Sequence, residues 1–198
     1  MFIELTEILR CPRGHAESYL VAAPIAMDGR RIVRGVIGCP ECRSEFPIVD
    51  GVAYFGERPQ PAPAPAADPS YDAAALTAFL NLSGPGGYAV LVGSAARFGS
   101  ALIEAVPGVH FVAVNPPSGV SAGPALSLLV AGTLPFKTSS VRAVALGADH
   151  ASGPWAAAAA RILLTGLRLA IEDERASPEG ISELARGAGL FVGEKRPG

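Results

Sequence analysis

The chain is poor in the residues on which several function classes depend. It has three cysteines in 198 residues, all before position 43, and charged side chains make up only 17% of it. Three thiols crowded into one end argue against a disulfide framework, and in a cytosolic chain such a cluster points to metal. No apolar run reaches the roughly 18 residues of a membrane span, because Arg161 and Arg168 break the richest one. Charge of either sign is not in excess. Seven Lys+Arg face eight Asp+Glu in residues 1–58, nine face ten in the remainder, and the net charge is −2. That balance does not indicate nucleic acid as a partner; Arg30, Arg31 and Arg34 read as a solvated cluster on a strand. The opening MFIELTEILR carries acids where a secretory signal carries basic residues, so the expected location is the cytoplasm.

What is present is enough apolar residue, 49%, to bury a core. Composition divides it into a segment at 1–56, a Pro/Ala linker at 57–70 and a longer segment at 71–198. The linker, ERPQPAPAPAADPS, holds five prolines among small residues, a composition for an extended spacer across which few contacts are expected.

In the first segment, LTEILR reads as a short helical turn that stops at Pro12. Cys11 and His15 follow, and 23 residues later G-C-P-E-C supplies Cys39 and Cys42. Two such knuckles give the four soft or borderline ligands of a tetrahedral zinc site, which a segment too small for a large core needs. Between them SYLVAAPIAM and RRIVRGVIG read as strands around Asp28-Gly29, and SEFPIVDGVAYF as a further strand with a turn at Asp50-Gly51.

LTEILRCP, CPEC and the closing FPIVDG resemble the small zinc-ribbon family that includes the activator subunit of tRNA, rRNA and release-factor methyltransferases. The likeness covers residues 3–55. It departs from the family at Gly14 and His15, where a second Cys-x-x-Cys would stand. The resemblance implies a structural zinc with no open coordination position, and docking onto a methyltransferase through a strand edge and apolar surface. In this chain that docking could be internal, or could pair two chains as a homodimer.

From residue 71 helical and strand patterns alternate. DAAALTAFLNLS, SAARFGSALIEAV, WAAAAARILL and SPEGISELARGAG read as helices, the last capped by Ser177. YAVLVG, VHFVAVN, ALSLLV, VRAVALG, GLRLAIE and LFVGEK read as strands. Alternation predicts an α/β fold with a mainly parallel sheet. AVLVGSAARFG, AGTLPFKTSSVRAVAL and AARILLTGLRLAI resemble class I S-adenosylmethionine-dependent methyltransferases. The resemblance implies a Rossmann-like three-layer α/β/α domain whose cofactor site contains Gly93 and Asn115.

The same alignment places Leu91 at the family's first acid, Ala95 and Arg97 at its later glycines, uncharged Asn115 at its ribose-binding acid, and Arg142 at a further acid. A Cβ at each glycine position crowds the backbone approach to the cofactor, so S-adenosylmethionine binding is doubtful. Asn115-Pro116-Pro117 reads as a stiff turn, and Asp149-His150, after the fourth strand, as a solvated loop. No residue is assigned a catalytic role. Two functions remain: a zinc-binding, non-catalytic scaffold, regulator or partner protein, and an active methyltransferase with a divergent cofactor pocket.

Overall fold

Asp28-Gly29 separates two largely apolar runs, the second rich in β-branched residues. In the computed structural model, which describes residues 1–58 and 70–197, these runs are β1 (Val21–Asp28) and β2 (Arg31–Gly38), paired antiparallel. Asp50 and Gly51 both take positive φ, 50° and 79°, and turn β3 (Glu45–Val49) back into β4 (Val52–Tyr54). Alternation sends Ile37, Phe46, Ile48 and Ala53 to one buried face. Of the expected linker, residues 59–69 lie outside the described residues.

The remaining elements are α1 (Ala73–Phe79), β5 (Tyr88–Val92), α2 (Gly99–Ala105), β6 (His110–Val114), β7 (Leu126–Val130), β8 (Val141–Leu146), α3 (Gly153–Ile162), β9 (Leu163–Ile171), β10 (Ile181–Gly187) and β11 (Leu190–Lys195). Strands β5 to β9 are parallel; β5 to β8 are short and mostly apolar, as strands covered on both faces must be, and β9 is buried at Leu169–Ile171. One face packs on Trp155, Ala156 and Ala159 of α3 together with Leu5 and Leu9. The other packs on Leu76 and Leu80 at α1 and Leu102 of α2. The sheet thus lies between two layers, in the order β7-β6-β5-β8-β9-β11-β10 from the point where this half begins. The order reverses direction between β5 and β8, as in a doubly wound Rossmann-like sheet, and the crevice at that reversal is where such folds bind ligands.

The two segments do not stand apart. β4 pairs parallel with β7, Val52 opposite Leu128 and Tyr54 opposite Val130, so one sheet of eleven strands runs through the chain. Arg10 N–H donates to the Pro135 carbonyl and Lys137 N–H to that of Ile8. The Glu17 carboxylate accepts from the hydroxyl and amide of Thr138 and pairs with Arg10 and Arg161. Leu9, Ile48 and Phe55 share one apolar cluster with Phe136 and Ile162. The sparse crossing contacts expected from the linker's composition are therefore corrected: strand pairing, not the linker, sets the coupling.

A second correction concerns residues 177–189. Ile181, Leu184 and Ala185 follow helical spacing, yet they form β10, antiparallel to β11. Ala188 and Gly189 both adopt positive φ, 52° and 79°, which makes a tight hairpin. Pairing with the buried β11 outweighs local helical preference, and Leu184 is left exposed. The helix expected from Ser94 is also divided, into a 3-10 turn over Gly93–Phe98 and then α2.

At the amino end of the parallel strands the Phe2 ring stacks on His110 at 4.5 Å, and the His110 Nε2 lies 2.9 Å from Ser127 Oγ. Burial pushes the His110 imidazole down to about 4 from 6.5, so it is neutral in the fold. Between those values the unfolded chain binds the extra proton, so stability is fully present above pH 6.5 and falls as pH drops towards 4. Urea midpoints measured across that window should decline with falling pH, and His110→Gln should flatten the decline. An unchanged slope in the variant would exclude His110 as its source.

Candidate functional site

Two places concentrate chemistry. The first is the knuckle cluster. Cys11 leaves the N-terminal 3-10 turn, His15 follows it, and Cys39 and Cys42 close β2. Their ligand atoms all lie within 4.8 Å of one another. Cys39 Sγ is 3.4 Å from His15 Nε2, and Cys11 Sγ is 3.6 Å from Cys42 Sγ. Bond lengths of about 2.3 Å to sulfur and 2.0 Å to nitrogen give tetrahedral edges of roughly 3.5–3.8 Å. The cluster fits that size.

His15, Cys39 and Cys42 are prepared by their surroundings. His15 Nδ1 lies 2.8 Å from the Ala16 carbonyl. Donation there leaves the Nε2 lone pair to face the cluster, the usual second-shell arrangement for a metal-bound imidazole. Hydrogen bonds from the Ser44 hydroxyl and amide pull the Cys42 thiol down to about 6. Burial raises Cys39, but the amides of Cys42 and Glu41 and the Ser18 hydroxyl outweigh it and hold the thiol below its ordinary value. Burial raises Cys11 to about 11 against the Arg13 amide. Cys11, His15, Cys39 and Cys42 could hold a metal ion.

The second place is the carboxyl edge of β5, β6, β8 and β9, where a Rossmann-like fold takes its ligand. Gly93, at φ +58°, ends β5, but the space above it is filled. A Cβ there would fall on Asp149 Oδ1 and His150 Nδ1 and come within 2.7 Å of Asp149 Cγ. The Asp149 carboxylate accepts the Ser94 N–H at 2.8 Å, an amide that a cofactor loop would turn to its ligand. Burial pushes that carboxyl up, yet His150 and the Ser94 amide outweigh it and keep it below the ordinary carboxylate range. Gly147, at the end of β8, lies so near the loop that a Cβ would stand 2.6 Å from the Ala95 nitrogen.

Asn115 ends β6 at φ +52° and is 3% exposed. Its Oδ1 accepts from Ala131 N–H at 3.0 Å and its Nδ2 donates to the Ala131 carbonyl at 2.8 Å, so both ends of the amide are committed to β7's exit. Nδ2 also lies 3.3 Å from His150 Nε2. His150, expected in a solvated loop, is instead 3% exposed and sits edge-on to Trp155 at 4.7 Å. That expectation is corrected: the apolar cover of α3 draws the imidazole in.

Arg97 does not project into a ligand's path. Its guanidinium pairs with Glu172, donates to the Ser94 carbonyl at 2.7 Å and lies over the Phe98 ring. Glu172 also accepts from the Tyr71 hydroxyl and from Ala148 N–H at 3.0 Å. Burial and Glu172 together raise the Tyr71 phenol. Glu172 and Tyr71 were not singled out from sequence. The only signal was an acid directly after an apolar strand. Arg142 lies at the opposite end of the sheet, where it donates to the carbonyls of Ser83, Gly84 and Gly86 and ties down the loop before β5.

No protein-family model matches the chain, and no curated protein matches it in sequence. Among solved structures it is similar to the antibiotic-resistance methyltransferase Kmr, at 18% identity and a TM-score of 0.44 over 68% of this chain and 98% of that one. It is also similar to a chain in the complex between the Haloferax volcanii Trm112 methyltransferase activator and a proposed methyltransferase, at 16% identity and a TM-score of 0.46. That match covers 64% of this chain and 90% of the other. Likeness at this level carries no weight on function, and the fold stands on its own strand order. The chain is a Rossmann-like α/β protein with a Cys/His cluster that could hold a metal ion. No helix among the described residues is long and apolar enough to cross a membrane.

Proposed function

We propose that this chain is a non-catalytic, methyltransferase-like protein that is stapled by zinc and acts through its surfaces as a scaffold or regulatory partner. The observation that carries the reading is the occupation of the space over Gly93 by Asp149 and His150. The resemblance implies that S-adenosylmethionine would sit on the loop after β5 and use the Ser94 amide and a free hydrogen-bonding group at Asn115. Here the chain's own carboxylate takes the amide, and Ala131 takes the Asn115 side chain. The residues do not fit the cofactor.

Zinc is the metal that a three-thiolate, one-imidazole set selects. Cys11, His15, Cys39 and Cys42 would hold it with no position left for water or substrate, so bound zinc supplies a cross-link between β2 and the N-terminal turn.

Calorimetric titration with S-adenosylmethionine tests the reading. Loss of a charged acceptor costs about 1.5–3 kcal/mol, and a filled cradle adds to that, which places the expected Kd at about millimolar or weaker. A low-micromolar Kd would favour the active-methyltransferase reading instead. Asn115→Asp separates the two further. In an open pocket it would restore the ribose acceptor and tighten binding. Here it sets a carboxylate oxygen against the Ala131 carbonyl, so a lower melting temperature and no gain in affinity are expected.

A further inference from the structure

The eleven-stranded sheet is covered on both faces only over its Rossmann-like half. Over β1–β4 the face opposite Ile37, Phe46 and Ile48 carries no helix among the described residues. The register places its residues in three rows across the strands: Val21, Gly38 and Glu45; then Ala23, Val36, Pro47 and Tyr54; then Ala26, Arg34, Val49 and Val52. Val21 is 51% exposed, Val49 46% and Tyr54 37%. We infer that this face is the self-association surface of the protein, and that its occupant is the same face of a second copy.

Charge placement favours a second copy over any other occupant. Arg34 stands in one outer row and Glu45 in the other, and among the described residues neither makes an ion pair. A two-fold axis lying across the strands at the level of Val36 and Pro47 brings each copy's Arg34 row against the other's Gly38–Glu45 row. It pairs the two charges twice while the apolar middle rows pack on each other. This is the self-complementarity that an isologous dimer requires.

Gly38 supports the same arrangement. It lies in a strand, and a Cβ there would meet nothing nearer than the Val21 carbonyl at 3.9 Å, so the fold itself does not demand glycine. At the last position of β2 its bare backbone leaves a slot beside Glu45 for the partner's arginine. Association by extending the sheet at β1 is blunted by Pro24 and by register shifts on either side of Ala26. The Pro/Ala segment is a poorer occupant. It offers Asp68 as its one charge between residues 59 and 69.

Sedimentation equilibrium of the full chain, with its metal, tests the inference. The parent protein should be a dimer at micromolar concentration. Arg34→Glu and Glu45→Arg, each alone, should weaken the dimer on the order of tenfold or more by opposing like charges at two symmetric places. The double swap should return to within a few-fold of the parent, because the pairs are restored with reversed sign. Circular dichroism and metal content unchanged in all three variants would exclude misfolding as the cause. A monomeric parent would overturn the inference, as would single swaps without effect or a double swap no better than the singles.

Discussion

Cys39→Ser should melt the whole chain, not only its first 56 residues. Cys39 is buried, and its sulfur lies 3.4 Å from His15 Nε2 in the ligand cluster. Structural zinc contributes apparent binding energies of about 10–16 kcal/mol in small modules, against about 5–15 kcal/mol for the stability of a whole domain. Even if half of that survives as water and remaining ligands compensate, a loss of about 5 kcal/mol lowers the melting temperature by roughly 10–20 °C. Because β4 pairs with β7, and Ile48 and Phe55 share a cluster with Phe136, the unfolding should remain one calorimetric transition. Metal analysis should find about one zinc per parent chain and much less in the variant, and a strong chelator should reproduce the shift in the parent. A transition left at the parent temperature, or well under half an equivalent of metal in the parent, would refute the staple.

The second large effect is expected at Gly147, far from the metal. Its φ of −69° suits alanine, so backbone strain is not the issue. The obstacle is space: a Cβ would stand 2.6 Å from the Ala95 nitrogen and 2.7 Å from the Ser94 nitrogen, and backbone cannot swing aside. Gly147→Ala should cost about 3 kcal/mol, a fall of roughly 6–12 °C in melting temperature. Gly153→Ala, where a Cβ meets nothing within 4 Å, is the control and should leave the melting temperature within a degree or two. Were the crevice between β5 and β8 open enough for a nucleoside, the alanine at 147 would be tolerated. Thermal scans of the two variants side by side decide the matter.

The sequence showed some of this plainly and hid the rest for physical reasons. The four-residue ligand set was legible because thiols and imidazole in two knuckles carry their chemistry locally. The strands β5 to β8 were legible because burial on both faces demands mostly apolar runs. β10 was not, since Ile181, Leu184 and Ala185 fit a helix equally well and only pairing with β11 decides. Ala95 and Arg97, where the resembled family has glycines, suggested a crowded loop after β5, but not which side chains close over it. That closure depends on Asp149 and Glu172 meeting Ser94 and Arg97 across 55 to 78 residues of chain. The joining of the two segments was hidden in β4, three residues long, whose parallel partner no local pattern announces.

That short strand also dictates an order of events. Val52 finds its ladder partner in Leu128, 76 positions later, and β7 takes its own place only once β6 stands beside it. Pairings so distant form slowly, because loop closure must precede the contacts that reward it. On the ribosome, at about 5–20 residues per second, the first four strands wait several seconds with the edge of β4 unpaired and the apolar cluster around Phe55 still lacking Phe136 and Ile162. The N-terminal segment is therefore made first but finished last. The knuckle residues, all within the first 42 positions, are the part of it that can take up metal and set before the rest of the sheet arrives.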